Sequence, residues 1–153
     1  MAIAFTKLNG FVENLAEGAF DFENDAIVVA LSNTAPGSES PSPTGTAAEC
    51  VLANVTPISY TNVAGGATIT PRTLANVTSS QTAGVETVDA DNITISASGG
   101  NVGPFQYVYL YDDTTTTPAD PLIGYFDYGS ALTLADGESL TITFNASGIL
   151  TIT

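Results

Sequence analysis

The segment Leu140-Thr-Ile-Thr-Phe144 decides the fold class, because apolar and hydroxyl side chains alternate along it without interruption. Successive side chains of a β-strand point to opposite faces of the sheet. The three apolar members would therefore face a core, and the two threonines would face solvent. This period of two predicts a half-buried strand of an antiparallel sheet.

Other stretches of the chain also have the composition of strands. Ala26–Leu31 is continuous and β-branched, which is typical of a strand buried on both faces. In Phe105–Tyr111 the tyrosines at 107, 109 and 111 alternate with Val108 and Leu110, so both faces of that strand should be covered. Further strands are predicted in 85–88, 93–95, 122–128 and 149–152, with Gly-, Asn- and Asp-rich turns between them.

A helix is predicted at the amino terminus, over residues 4–17. Apolar side chains recur there at spacings of three and four, which places them on one stripe of a helix. Gly18 follows the last apolar position and can end the helix in a left-handed conformation. The stripe consists of Phe5, Leu8, Phe11, Val12 and Leu15.

Together these patterns predict a mainly β protein, an antiparallel β-sandwich or jelly roll with one short N-terminal helix. Its 153 residues suit a single domain spanning 1–153. Residues 34–49 are rich in Pro, Ser and Gly, and they predict an exposed loop. The string Leu-Ala-Asn-Val-Thr occurs at both 52–56 and 74–78. We interpret the two copies as two positions in a sheet that require similar side chains, rather than as a duplication.

The charge of the chain excludes several functions. Sixteen acidic residues face only Lys7 and Arg72, and the formal net charge is -14. Two cations cannot neutralise a nucleic acid backbone, and an anionic membrane surface would repel the chain. The chain has no histidine, so a Ser-His-Asp triad or a histidine-built zinc site is impossible. We expect neither nucleic acid nor membrane as a partner.

Carboxylates are the remaining candidates for chemistry, and most of them lie in or beside predicted turns. Solvated turn carboxylates are favoured over catalytic ones, also because the chain has no tryptophan to stack on a sugar ring. A calcium loop built from Asp112, Asp113 and Asp120 stays an open alternative to a metal-free turn. Cys50 is interpreted as a buried apolar filler. The sequence therefore predicts no enzyme and no catalytic, cofactor-binding or metal-binding residue. The candidate carboxylates are Asp89, Asp91, Asp112, Asp113, Asp127 and Glu138.

Several longer runs resemble a family of small structural proteins of tailed bacteriophage particles. The runs are Ser98-Gly-Gly-Asn-Val-Gly-Pro-Phe-Gln-Tyr-Val-Tyr-Leu-Tyr-Asp112, Pro121-Leu-Ile-Gly-Tyr-Phe-Asp-Tyr-Gly129, Leu134-Ala-Asp-Gly-Glu138, and the segments 5–15 and 25–36. The likeness covers most of the chain and departs mainly in 37–49, which looks like an insertion.

The resemblance implies a virion protein. Residues 1–15 contain no continuous apolar stretch of the kind a signal peptide requires, so we expect the chain to be made in a host cytoplasm. The first hypothesis is a head decoration or cement protein that binds the major capsid protein as a homo-oligomer, with a trimer as the usual arrangement. The helix stripe named above is the candidate interface, and core packing is its alternative. The second hypothesis is a tail-associated or receptor-facing module that binds carbohydrate in a concave site.

Overall fold

The computed structural model describes residues 3–36 and 46–153, which are mainly β with one α-helix. Strands make up 44% of the residues and helical turns 10%. Every pairing between the named strands is antiparallel, so the predicted fold class is confirmed. The elements are β1 (Phe5–Lys7), α1 (Asn9–Ala16), β2 (Ile27–Ser32), β3 (Thr78–Thr82), β4 (Val85–Asp89), β5 (Ile93–Ser96), β6 (Val102–Asp112), β7 (Leu122–Leu134), β8 (Ser139–Ile142) and β9 (Leu150–Ile152).

The first layer is a four-stranded sheet with the order β1-β7-β6-β2. Strand β2 is buried along its whole length, which confirms that both of its faces are covered. Strand β6 behaves in the same way over its second half, where tyrosines on one face and aliphatic side chains on the other are buried. The long hairpin of β6 and β7 therefore forms the centre of the domain.

The second layer is a bent ribbon made from two smaller sheets, β3-β4-β9 and β5-β8. Strands β4 and β5 follow each other in one segment, 85–96, and β8 and β9 lie in a second segment, 139–152. These two segments pair with each other on both sides of a bend, β4 with β9 and β5 with β8. At the bend, the Ile149 N–H donates to the Val88 carbonyl at 2.8 Å, and the Phe144 N–H donates to Asn92 Oδ1 at 2.9 Å. Phe144 lies 6.1 Å from the ring of Phe126 in the first sheet, which joins the two layers in one core.

The predicted helix is shorter than expected at its start. Residues 5–7 are not helical but form β1, which pairs with β7, and α1 begins only at Asn9. Sheet pairing satisfies the backbone groups of this segment and overrides its helical spacing. The end of the helix is as predicted: Gly18 has φ 79°, its N–H donates to Leu15, and the Ala19 N–H donates to Asn14. This is a Schellman motif.

One other prediction needs correction. The repeated string does not occupy two equivalent sheet positions, because Leu52–Asn54 is a 3₁₀ turn whereas the second copy enters β3 only at Thr78. The predicted exposed loop 34–49 lies partly outside the described residues, in 37–45. At its described end, Ala47 is buried against the helix, where its carbonyl accepts a hydrogen bond from Asn14 Nδ2 at 3.2 Å.

Arg72 attaches the segment before β3 to the first sheet. It is 4% exposed, its Nη1 donates to the Val29 carbonyl at 2.6 Å, and its guanidinium carbon lies 3.7 Å from the centre of the Tyr60 ring. One of the two cations of the chain is thus used inside the fold. Within the described ranges, no helix is long and apolar enough to cross a membrane.

Candidate functional site

A groove of about 1030 Å³ opens between the two layers, at the side where β1, β8 and β9 lie. Its lining includes phenylalanines from both layers, Phe5 and Phe126 from the first sheet and Phe144 from the ribbon. Ile142 and Leu150 are also part of the lining. Apolar surface therefore extends from the core to an opening on the outside of the protein.

The antiparallel register explains why these aromatic side chains meet. Phe5 is directly opposite Phe126 in the β1–β7 pair, so both side chains point to the same face, and their rings are 5.0 Å apart. Val108 is opposite Phe126 on the other side of β7 and lies on that face too. Gly124 allows β1 to approach, because a Cβ at this position would overlap the Phe5 ring and the Thr6 carbonyl.

The groove differs in charge from the chain as a whole. Among the described residues, none that lines the groove is Asp or Glu, although the chain contains 16 acidic residues. Lys7 is the only charged residue in this described part of the lining, and it is exposed. The described lining is therefore mainly apolar and carries one positive charge, on a strongly acidic protein.

A bulge in β7 forms a rim beside the groove. Between the pairs Phe105–Leu132 and Tyr107–Asp127, β6 advances by two residues whereas β7 passes through five, so residues 128–131 protrude. Asp127 Oδ1 holds the bulge by accepting from Gln106 Nε2 at 2.9 Å and from the Gly129 N–H at 2.7 Å. Tyr128 is 45% exposed and lines the groove.

The five interface candidates from the sequence do not form one exposed stripe. Leu8 and Phe11 are fully buried, so core packing, the alternative interpretation, holds for them. Phe11 packs on the rings of Phe20 and Phe22 at 5.1 and 6.2 Å. Of the remaining candidates, Phe5 is half-buried in the groove, Leu15 is half-buried against the core and Val12 is 48% exposed.

The expectation that the candidate acids are solvated is wrong for Asp112. It is fully buried at the end of β6, and it accepts from the Thr114 N–H at 2.7 Å and the Thr115 N–H at 3.2 Å. Burial raises the pKa of the Asp112 carboxyl, and the hydrogen-bonded Asp25 side chain raises it further, while the threonine donors oppose both effects. Asp91, Asp127 and Glu138 are exposed, as predicted.

The structure does not assemble a metal centre from the acids around Asp112. Among the described residues, no group of three or more His, Cys, Asp or Glu side chains is placed to hold a metal ion. The open alternative of a calcium loop with Asp113 and Asp120 therefore gains no support from the geometry. Asp112 itself is held by threonine donors, and it does not line the groove.

The tyrosines of β6 belong to the core of this chain. Tyr109 is fully buried, and its hydroxyl donates to the Thr34 carbonyl at 2.6 Å. Its ring lies 5.8 Å from Tyr125 and 6.3 Å from Tyr107. Burial raises the pKa of Tyr111 to about 12, so this phenol stays neutral at physiological pH.

The groove was missed by the sequence reasoning, although three of the side chains around it, Leu140, Ile142 and Phe144, were correctly predicted to face inward. Alternation in 140–144 identifies the inward face, but it cannot show that the facing layers leave space between them. Comparison with known proteins gives no further guide: no family model, no curated protein and no solved structure matches the chain.

Proposed function

We propose that this chain is a structural protein of a tailed-phage virion, a head decoration or cement protein that binds the major capsid protein and stabilises its lattice. The apolar, carboxylate-free groove is the observation that carries the protein-binding part of this proposal. The resemblance in 98–112, 121–129, 134–138, 5–15 and 25–36 carries the assignment to a virion. These runs contain most of β1, β2, β6 and β7, the four strands of the first sheet.

Protein binding fits the chemistry of the groove better than catalysis does. The buried centre of a protein interface is depleted of charged residues and enriched in aromatic ones. In the part of the chain that the structure describes, the groove combines Phe5, Phe126, Phe144 and Tyr128 with no carboxylate. A hydrolytic site that works with carboxylates would need positioned acids, and this described lining contains none.

The acidic surface around the groove suits a protein that covers a particle. At a formal charge of -14, copies of the chain repel one another and other anionic surfaces wherever acidic faces meet. Contact is then restricted to the surface without carboxylates. Many modest contacts of this kind, repeated over a lattice, stabilise a shell through avidity.

The test is to label the protein on intact particles with an antibody or a gold-tagged chain. We expect the label over the heads, with tail-less heads labelled equally. Heat-induced loss of packaged nucleic acid should occur at a lower temperature in particles that lack the protein. A label restricted to tails, or none on either structure, would overturn the proposal.

The carbohydrate-binding alternative is favoured by one observation, the exposed Tyr128 beside Asp127 on the rim of the groove. An exposed aromatic ring with neighbouring polar groups can stack on a sugar and hydrogen-bond its hydroxyls. This function predicts binding on a glycan array that is lost in Tyr128→Ser. No glycan binding, together with recovery of the protein on tail-less heads, would reject it.

A further inference from the structure

The groove lies at the edges of the sheets. Strand β1 is the last strand of the first sheet, and β8 and β9 are the last strands on the corresponding side of the ribbon. All three contribute residues to the lining. The free edge of a terminal strand presents backbone N–H and C=O groups that can pair with an added strand.

The edge strand β1 is also short compared with the strand it covers. Its three residues pair with Gly124 to Phe126, whereas β7 continues to Leu134. Open backbone edges and an apolar floor therefore occur at the same place. An extended segment entering there could use both, through backbone hydrogen bonds and through every second side chain.

We propose that the groove binds an extended segment of another protein by strand addition, with apolar side chains at alternate positions and a carboxylate beside Lys7. This inference rests on the proposed function, since it names how the protein partner is held. Main-chain hydrogen bonds would supply affinity, and the side chains that enter the groove would supply specificity.

Charge complementarity selects the chemistry of that segment. The lining formed by residues 3–36 and 46–153 carries Lys7 and no acidic residue, in a chain that is otherwise strongly acidic. A carboxylate on the incoming strand is attracted by Lys7 and meets no like charge inside the groove. A basic segment would be attracted to the outer surface of the protein as a whole but would meet Lys7 at this place.

A second copy of the chain is a poorer occupant than a different protein. The exposed strand among the described residues, β3, is Thr-Ser-Ser-Gln-Thr and offers no apolar side chain to the groove. The large exposed apolar side chains of the described residues are Val12, which lies on a helix, and Tyr128, which belongs to the groove itself. Two chains of charge -14 also repel each other.

The inference can be tested with the full chain and a defined probe, the peptide acetyl-Val-Thr-Val-Thr-Glu-Thr-Val-amide. Its odd positions carry the valines and the glutamate, so one face of the strand has the proposed chemistry. Titration is followed by the amide chemical shifts of the ¹⁵N-labelled protein. We expect saturable shifts confined to residues 3–7, 126–131 and 140–151. The same peptide N-methylated at alternate residues should not bind, because it cannot form the strand hydrogen bonds.

A pair of variants on β1 separates the groove from general electrostatics. Lys7→Glu changes the charge inside the lining, whereas Thr6→Glu adds the same charge type to an exposed neighbour that does not line the groove. We expect Lys7→Glu to weaken peptide binding roughly fivefold or more at low salt and Thr6→Glu to change it less than twofold. Circular dichroism melting of both variants verifies that they fold.

The outcomes distinguish this inference from the proposed function. No binding of the peptide at millimolar concentration, equal binding of the N-methylated peptide, or shifts around Val12 instead of the groove would each overturn strand addition. If sedimentation shows that the protein self-associates and that Lys7→Glu abolishes this association, the groove binds a second copy of the chain and the inference of a different protein is overturned. If the unmodified chain labels heads while the peptide fails to bind, only the strand-addition inference is rejected. If the peptide binds and particles carry no label, only the virion function is rejected.

Discussion

The buried carboxyl of Asp112 leads to a prediction about stability and pH. Thr115 Oγ1 contacts both Asp112 Oδ2, at 2.9 Å, and the Ala19 carbonyl. A hydroxyl has one hydrogen, so it can donate to only one of these two acceptors. If it donates to the carbonyl, Asp112 must carry a proton to complete the other hydrogen bond. This geometry agrees with the raised pKa of Asp112.

The asparagine variant is the direct test, because its amide can occupy the place of a protonated carboxyl. In Asp112→Asn, Oδ1 can still accept from the Thr114 and Thr115 N–H groups, and the amide can donate to Thr115 Oγ1 or to Asp25. We expect its unfolding free energy at pH 7 to stay within about 1 kcal/mol of the unmodified protein. Asp112→Ala removes the carboxyl group, so the two or three groups that donate hydrogen bonds to it lose their acceptor. Each fully buried donor without an acceptor costs about 1–3 kcal/mol of stability. Since Thr114 is itself exposed, a total loss of about 2–4 kcal/mol is expected.

The pH dependence has a definite sign. A carboxyl whose pKa is higher in the folded than in the unfolded chain stabilises the fold at pH below the unfolded pKa, and this contribution is lost as the pH rises through the folded pKa. Urea unfolding at several pH values above the ordinary carboxyl pKa of 3.8 should therefore show the stability of Asp112→Asn relative to the unmodified protein increasing with pH, and levelling off once the pH exceeds the raised pKa of the folded chain. Identical pH slopes for the two proteins, or an asparagine variant as unstable as the alanine variant, would refute the reasoning.

Three further predictions concern packing and solubility. Arg72→Met should lose about 2–4 kcal/mol of stability in urea unfolding, because the Val29 carbonyl and the Tyr60 ring lose a buried cation; a loss below 1 kcal/mol would contradict this. Gly10→Ala should lower the melting temperature by several degrees, because the added methyl group overlaps Cys50, whereas Val12→Ala on the exposed side of the same helix should change stability by less than about 0.5 kcal/mol. Solubility should fall sharply near the sequence pI of about 4.1, and constant turbidity between pH 3.5 and 6 would argue against this.

The strands that could be predicted best are those whose own residues show a clear pattern of apolar side chains. The period of two in 140–144 and the continuous apolar run in 26–31 both correspond to strands or buried extended segments in the structure. Gly18 ends the helix as expected, since the left-handed conformation favours glycine at that position. These features depend on local backbone preferences and on a single buried face, which a sequence shows directly.

The failures share a different cause. Phe5 and Leu8 have helical spacing, yet Phe5 belongs to an edge strand because β7 is present to pair with it. Asp112 stands beside a turn signal, yet it is buried because the threonine donors and Asp25 are brought around it. Phe5 and its partner strand β7 are more than a hundred positions apart. The threonine donors of Asp112 are its near neighbours in the chain, and Asp25 is its distant partner.

The sequence by itself determined the fold class, the charge and the lack of histidine, because composition and the alternation of side chains can be read directly from the chain. The tertiary structure alone decided that the predicted helix stripe packs inward at Leu8 and Phe11, and that the layers leave an apolar groove around Phe5, Phe126 and Phe144. A groove is space left between surfaces, so it depends on how far apart two layers are held. That separation is set by the pairing of β1 with β7, which are more than a hundred positions apart, and by the packing of Phe126 on Phe144 between the layers, which no local pattern records.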